Sequence, residues 1–133
     1  MTKTTPEQNK ALVLKAFDTL FNKRDYEAAA DLWSDNYIQH SAHIEPGREG
    51  LFDLIRSSPD NLHYEHQLIL AEGDYVIVYG RFTGTGAPVA SVAADVVRIE
   101  DGHLAEHWDV LQDEVTEAES KSGRPMFGDR FPR

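Results

Sequence analysis

Acidic and imidazole side chains recur at alternating positions near the end of the chain. His107 and Asp109 are two residues apart, and Asp95 lies in the apolar stretch before them. Side chains two residues apart share one face of a strand. A carboxylic acid enclosed among apolar groups holds its proton to a higher pH than one in water, and it can then accept and donate a proton near neutral pH. We therefore predict Asp109 as an acid–base group and His107 as its catalytic neighbour.

Other candidates come from imidazole, phenol and apolar side chains elsewhere in the chain. His40 ends the segment Tyr37-Ile38-Gln39-His40 and is predicted as a third catalytic group. For each candidate, the alternative is a structural role in the core or in a local hydrogen bond. The residues predicted to contact a ligand are Tyr37, His43, Phe52, Ile55, His66, Tyr79, Asp95 and Val97.

Histidines could also bind a metal ion. His40-x-x-His43 together with His107 and Asp109 would offer nitrogen and oxygen ligands that suit zinc or iron. However, the sequence contains no compact ligand motif such as HExxH. We therefore predict that the protein uses no metal and no other cofactor.

Three helices are predicted in the first half of the chain. Thr5-Pro6-Glu7-Gln8 fits a capping box with proline at the first helical position, and apolar residues at helical spacing follow between residues 13 and 21. Asp25 can cap a short second helix. A third helix begins after Pro46-Gly47 and ends before Pro59.

The second half of the chain is predicted to form four antiparallel strands, at residues 63–71, 75–83, 89–100 and 103–115, after a short extended segment at 37–40. Helices followed by strands are typical of an α+β fold in which the helices pack on one face of the sheet and enclose a pocket. We predict a single domain over residues 1–115 and an extended C-terminal arm over residues 116–133.

The turn at Asp101-Gly102 sets the register of the last two strands. A two-residue turn would place His107 opposite Val96. A three-residue loop with a G1 bulge at Gly102 would instead pair Ile99 with His103 and place His107 opposite Asp95.

Charge favours the bulged register, because it makes Arg98 and Glu106 diagonal neighbours of opposite sign. This register predicts that one face carries Asp95, Val97, Ile99, Ala105, His107 and Asp109, and that the other carries Val96, Arg98, Leu104, Glu106, Trp108 and Val110. The first face would line the pocket, and the second is too apolar for water.

Composition limits the partners that the protein can have. The 133 residues carry a formal charge of −10 at pH 7 and no cysteine. The negative charge argues against nucleic acids and anionic membranes, and no apolar run approaches the roughly 20 residues of a membrane helix. We expect a cytoplasmic protein that binds a small molecule and forms a homodimer through the sheet face that includes Trp108.

Several segments form a series along the chain: residues 37–40 (YIQH), 72–76 (EGDYV), 100–102 (EDG), 106–112 (EHWDVLQ) and 125–127 (PMF). This series resembles the SnoaL-like branch of the nuclear transport factor 2-like superfamily, and EHWDV after the DG turn is its most specific part. The chain departs from related sequences at Tyr79 and Arg81, where histidines are often found.

The resemblance implies a cone-shaped α+β fold with a deep pocket and dimerisation through the outer face of the sheet. Polyketide cyclases of this group catalyse intramolecular aldol condensation without a metal or cofactor, and their acid–base aspartate corresponds to Asp109 here. We therefore expect cofactor-free acid–base catalysis on a small carbonyl compound, as aldol condensation or cyclisation, isomerisation or dehydration. The alternative is a non-catalytic dimeric module that binds a small molecule in the same pocket.

Overall fold

A computed structural model describes residues 3–132, and one curved five-stranded sheet forms its centre. The strands are β1 (Trp33–Gln39), β2 (His63–Glu72), β3 (Tyr75–Thr83), β4 (Ser91–Glu100) and β5 (His103–Asp113), and they lie in the order β1-β5-β4-β3-β2. Strands β2 to β5 form an antiparallel meander, and β1 adds to its edge in parallel with β5. The predicted α+β class is confirmed.

Three helices precede or interrupt the strands: α1 (Pro6–Phe17), which continues as a π-helical turn over Asp18–Asn22, α2 (Tyr26–Ala30) and α3 (Gly47–Arg56). The predicted capping box is confirmed, because Gln8 N–H donates to Thr5 Oγ1 at 3.1 Å and Thr5 N–H donates to Gln8 Oε1 at 2.9 Å. Asp25 caps α2 by accepting a hydrogen bond from Ala28 N–H. Within residues 3–132, no helix has the length and apolar character needed to cross a bilayer.

The helices pack against one face of the sheet, which we call the inner face. Trp33 on β1 and Phe52 on α3 meet edge to face, with ring centres 5.8 Å apart. On the other side of the core, Tyr64 crosses β3 at Gly80, where a Cβ atom would lie only 2.2 Å from the tyrosine oxygen. Glycine is therefore required at that position. The largest fully buried side chains are those of Trp33, Phe52, Leu20, Leu104, Val13, Val76, Val78, Val97 and Asn9.

The β4–β5 turn differs from the predicted loop. Glu100 pairs with His103 across a two-residue turn, in which Asp101 and Gly102 both have positive φ, 52° and 75°. This is the geometry of a type I′ turn, whose twist matches that of the strands. The predicted pairing of Ile99 with His103 is therefore wrong.

A bulge does occur, but further along β5. Ile99 pairs with Leu104 and Arg98 pairs with Glu106, so the extra residue is Ala105. The bulge restores the opposite-charge pair on which the prediction rested, now as direct neighbours. As a result His107 lies opposite Val97, and Asp109 lies opposite Asp95. Leu104 was predicted on the outer face, but it is buried and lines the inner cavity.

The outer face of the sheet carries a row of apolar side chains. Leu70, Ile77, Val96 and Trp108 are in register across four strands. Val110 lies beside this row with 74% of its surface exposed.

Residues 114–132 contain no helix or strand and run along the β2–β3 side of the sheet. Phe127 packs under the guanidinium group of Arg81, whose ion-pair partner Glu114 is buried. Gly128 N–H donates to Gln67 Oε1 at 2.7 Å. These contacts attach the C-terminal arm to its own domain.

Candidate functional site

A cavity of about 180 Å³ lies between the inner face of the sheet and the helices. Its wall is mainly apolar and comes from α1, α3 and the strands. Its polar groups gather where β1, β4 and β5 meet. The residues that line it are Phe17, Phe21, Trp33, Tyr37, Ser41, His43, Ile44, Leu51, Leu54, Ile55, Ser58, Leu62, Phe82, Thr85, Ser91, Asp95, Val97, Leu104, His107, Asp109 and Leu111.

Strand alternation places Asp95, His107 and Asp109 together at the polar end. Asp95 on β4 lies directly opposite Asp109 on β5, and His107 lies two residues before Asp109. One ligand atom from each of the three residues lies within 4.8 Å of the others. No lysine or arginine lines the cavity within residues 3–132. The polar end therefore combines two carboxyl groups with one imidazole.

Both ring nitrogens of His107 have close partners. Nε2 lies 2.7 Å from Asp95 Oδ1, and Nδ1 lies 2.6 Å from Gln39 Oε1. The side chains of His107 and Asp95 are only 8% and 4% exposed. His107 is thus held firmly, and neither nitrogen is directed at the open cavity.

Burial raises the pKa of the Asp95 carboxyl above its ordinary value, because the charged form loses its hydration. The hydrogen bond from His107 opposes this effect, and the nearby Asp109 adds to it. Asp95 Oδ2 is buried and has no hydrogen-bond partner among residues 3–132. An acceptor in this position is available to a hydroxyl, amine or water in the cavity.

The carboxylate of Asp109 differs from that of Asp95. It is partly exposed to the cavity, and its side chain makes no hydrogen bond to residues 3–132. A carboxylate without a protein partner is able to approach a substrate proton directly.

The phenol of Tyr37 is a second cavity group of note. Tyr37 is 6% exposed, and its oxygen accepts a hydrogen bond from Gln39 Nε2 at 3.1 Å. Burial raises the pKa of Tyr37 above its ordinary value, and the negative charges of Asp95 and Asp109 act in the same direction. The phenol therefore stays protonated and can donate a hydrogen bond.

The structure places His40 away from the cavity, contrary to its predicted catalytic role. Its neighbour Gln39 pairs with His107 and faces inward, so alternation along β1 turns His40 to the outer face. There His40 Nε2 lies 2.7 Å from Glu106 Oε2, and its ring stacks on Trp108 at 4.8 Å. In this structure His40 is therefore not among the residues that line the cavity.

Three predicted ligand contacts also lie outside the cavity wall. Phe52 packs behind Trp33 and supports it from the core. His66 is exposed on the edge strand β2, where a bulge interrupts the pairing with β3. Tyr79 faces outward, where its hydroxyl donates to Met126 O.

The other predicted contacts, Tyr37, His43, Ile55, Asp95 and Val97, line the cavity. The sequence interpretation missed Gln39, which touches His107 and Tyr37. It also did not assign Leu104 to the cavity. No local signal in the YIQH segment distinguishes Gln39 from His40 as the inward residue, because the parallel pairing of β1 with β5 decides it.

The structure also bears on metal binding. The predicted alternative set of His40, His43, His107 and Asp109 is not assembled, because His40 lies on the other face of the sheet. The residues that could hold a cation are Asp95, His107 and Asp109. In this structure both ring nitrogens of His107 are in hydrogen-bond contact, with Gln39 Oε1 and Asp95 Oδ1, so an ion would have to displace one of these contacts.

Solved structures of similar fold come from several bacteria. One is a candidate ketosteroid isomerase from Kribbella flavida DSM 17836, with a TM-score of 0.74 and 20% identity over 96% of this chain and 97% of that chain. Another is TsrD from Streptomyces laurentii, with a TM-score of 0.69 and 23% identity over 83% of this chain and 92% of that one. A third is a candidate polyketide cyclase from Acidithiobacillus ferrooxidans, with a TM-score of 0.68 and 17% identity over 84% and 92% of the two chains.

These identities establish a shared fold and not a shared reaction. A comparison with curated proteins gives no significant match. The family model of the SnoaL-like domain matches residues 13–107, which include the last part of α1, helices α2 and α3, strands β1 to β4 and the first part of β5. Because this match spans most of the chain, the protein belongs to the SnoaL-like domain family.

Proposed function

We propose that the protein is a cofactor-independent acid–base catalyst that acts on a small carbonyl compound. The observation that carries the proposal is the contrast within one cavity between Asp109, a carboxylate with no hydrogen-bond partner in the described part of the chain, and Tyr37, a buried phenol donor. A base and a hydrogen-bond donor in an apolar enclosure are what enolate chemistry requires. The solved structures described as a candidate polyketide cyclase and a candidate ketosteroid isomerase are consistent with this class.

In the proposed reaction, the carboxylate of Asp109 takes a proton from the carbon next to the substrate carbonyl. The electron pair of that C–H bond forms the enolate, and its oxygen accepts a hydrogen bond from the hydroxyl of Tyr37. Return of the proton to another carbon gives isomerisation, attack on a second carbonyl gives an aldol product, and loss of a β-hydroxyl as water gives dehydration. Tyr37 thus takes the role that the sequence had suggested for His40.

The cavity limits the size and charge of the substrate. An engineered cavity of about 150 Å³ in another protein holds benzene, so a cavity of about 180 Å³ suits a compound near the size of one substituted ring. Two carboxyl groups at the polar end, with no lysine or arginine among the described residues of the lining, disfavour carboxylate or phosphate substrates. Neutral carbonyl compounds fit this environment best.

Asp109→Asn is the test of the mechanism. A panel of neutral monocyclic ketones and hydroxyketones is incubated with the protein, and conversion is followed by mass spectrometry and by deuterium uptake from D2O. Asparagine keeps the shape of the side chain but cannot accept the proton, so we expect at least a roughly 1000-fold loss of turnover with unchanged binding, on the order of the contribution of a positioned base.

Asp113→Asn is the matched control, because Asp113 is exposed at the end of the same strand. It should leave turnover unchanged. Equal turnover of wild type and Asp109→Asn would reject Asp109 as the base. Binding of panel compounds by the wild type without conversion or deuterium exchange would favour the non-catalytic binding module instead.

The proposed functional unit is a homodimer joined through the outer face of the sheet. The row of Leu70, Ile77, Val96 and Trp108 is an apolar strip of the kind that marks an interface. Because Val110 lies beside this row and is exposed, Val110→Glu would bury a charge in the interface.

We expect Val110→Glu to be monomeric by light scattering on a sizing column, whereas the wild type is dimeric. Lys15→Glu, on the exposed side of α1, is the control and should remain a dimer. A wild-type protein that is monomeric at all concentrations, or a Val110→Glu variant that stays dimeric, would contradict this interface.

A further inference from the structure

The side chain of Gln39 contacts two polar groups of the cavity, the imidazole of His107 and the phenol of Tyr37. Its Oε1 lies 3.0 Å from the backbone nitrogen of Ser41 and 2.6 Å from His107 Nδ1. Its Nε2 lies 3.1 Å from the oxygen of Tyr37. One amide therefore contacts a fixed backbone group, an imidazole and a phenol.

The contact with Ser41 decides which way the amide points. A backbone N–H can only donate, so the atom that faces it has to be the amide oxygen. Rotation of the amide by half a turn would set the NH₂ group of Gln39 against the N–H of Ser41, two donors with no acceptor between them. The orientation of Gln39 is thus determined by the backbone.

This orientation in turn determines the proton on His107. The oxygen of Gln39 only accepts hydrogen bonds, so His107 Nδ1 has to carry a hydrogen and donate it. The other nitrogen, Nε2, then faces Asp95 Oδ1, and the second proton of the pair lies between these two atoms. The imidazole of His107 and the carboxyl group of Asp95 share this proton.

The nitrogen of the same amide acts on Tyr37. Gln39 Nε2 donates to the phenolic oxygen, which leaves the hydrogen of that hydroxyl without a partner among residues 3–132. Because Tyr37 lines the cavity, its hydroxyl hydrogen is available to an acceptor on a ligand.

We propose that Gln39 is the positioning residue of this site: its carbonyl holds the proton of His107 on Nδ1, and its amide NH₂ directs the hydroxyl hydrogen of Tyr37 into the cavity. The catalytic consequence rests on the proposed function, but the proton positions do not. Gln39 needs no contact with the substrate to act in this way.

Two substitutions of similar size separate the two halves of the amide. Gln39→Glu keeps an oxygen that accepts from Ser41 and His107, but it removes the donor to Tyr37. Gln39→Met keeps the length of the side chain and removes both. Gln112→Met is the control, because Gln112 is an exposed glutamine on β5.

The measurement is ¹⁵N NMR of labelled histidine, with the His107 signals assigned by their loss in His107→Asn. We expect the wild type, Gln39→Glu and Gln112→Met to carry a proton on Nδ1 of His107 between about pH 6 and pH 8, the range in which histidine ordinarily changes charge. In Gln39→Met that proton should be lost, because the tautomer with hydrogen on Nε2 can then donate to Asp95. The amide spectrum of the sheet shows in each case whether the fold is retained.

An unprotonated Nδ1 in the wild type would overturn the proposal, and so would an unchanged Nδ1 signal in a folded Gln39→Met variant. If Gln39→Met does not fold, the wild type and Gln39→Glu still decide, since a Gln39→Glu variant without the Nδ1 proton would also contradict it. None of these readings depends on turnover, so a failure here and a failure of Asp109 as a base are separate results. Once a substrate is found, Gln39→Glu should lower kcat more than it raises KM, because the phenol donor acts on the developing charge.

Discussion

Two histidine–carboxylate pairs each include one residue of β5, and they lie on opposite faces of the sheet. On the inner face, His107 Nε2 lies 2.7 Å from Asp95 Oδ1. On the outer face, His40 Nε2 lies 2.7 Å from Glu106 Oε2. The two pairs are equal in distance, yet the inner one is almost fully buried, whereas His40 is 42% exposed and Glu106 18% exposed.

The carboxylates of the two pairs respond in opposite directions. Burial raises the pKa of Asp95, because the carboxylate loses its hydration and the hydrogen bond from His107 offsets only part of this effect. Hydrogen bonds from His40 and then Arg98 hold the pKa of Glu106 below its ordinary value. The two hydrogen bonds have the same length. Burial and the neighbouring donors therefore decide whether the pKa of a carboxylate is raised or lowered.

Removal of the Asp95 carboxylate should lower the free energy of unfolding more than removal of the Glu106 carboxylate. Asp95→Ala leaves Nε2 of His107 buried without a partner, and we expect a loss of about 2 kcal/mol in the free energy of unfolding. Glu106→Ala leaves Arg98 and His40 able to reach water, so its loss should stay below about 1 kcal/mol. Urea unfolding at neutral pH measures both values.

The two variants serve as controls for each other, because each removes one carboxylate from the β4–β5 hairpin, Asp95 from β4 and Glu106 from β5. Equal losses would show that burial does not separate the pairs as the structure indicates. A larger loss for Glu106→Ala would mean that the outer face is buried in solution, and repeating the measurement with Val110→Glu as the background would locate that burial.

The sequence predicted most of the fold because the relevant signals are local. The capping box at Thr5, the turn residues of the meander and the strand alternation each depend on a few adjacent residues. The error in the last hairpin also has a local cause. Both registers satisfy the Asp101-Gly102 turn, and the position of the bulge is set by packing of Leu104 in the core, which the strand pattern does not show.

The candidate site was predicted less completely because it depends on a long-range pairing. His107 and Asp109 could be assigned to one face from their spacing alone. Whether Gln39 or His40 faces the cavity is decided by the parallel pairing of β1 with β5, where Gln39 lies beside His107. A shift of one residue exchanges the two faces of a strand, and nothing within the YIQH segment fixes that choice.

The pH dependence of the free energy of unfolding is a smaller effect that also distinguishes Asp95 from Glu106. In the unfolded chain Asp95 loses its proton near its ordinary pKa of 3.8, whereas the folded protein keeps that proton to higher pH. The native state then binds more protons than the unfolded state, so this contribution to stability is lost as the pH rises above about 4. The amide of the Asp95→Asn variant does not titrate. The stability of the wild type minus that of Asp95→Asn should therefore fall with rising pH, by at most about 1.4 kcal/mol per pH unit.

Glu106 should give the opposite slope. Its folded pKa lies below its ordinary value of 4.5, so its contribution is present above that pH and disappears as the pH falls through the folded pKa. The wild type minus Glu106→Gln should therefore lose stability on acidification, from about pH 4.5 downward. Urea titrations from about pH 3 to pH 8 record both differences in one series. The two substitutions are isosteric, and the paired histidines remain in place. Slopes of the same sign would therefore mean that the two faces of the sheet do not differ in their effect on the pKa of a carboxylate.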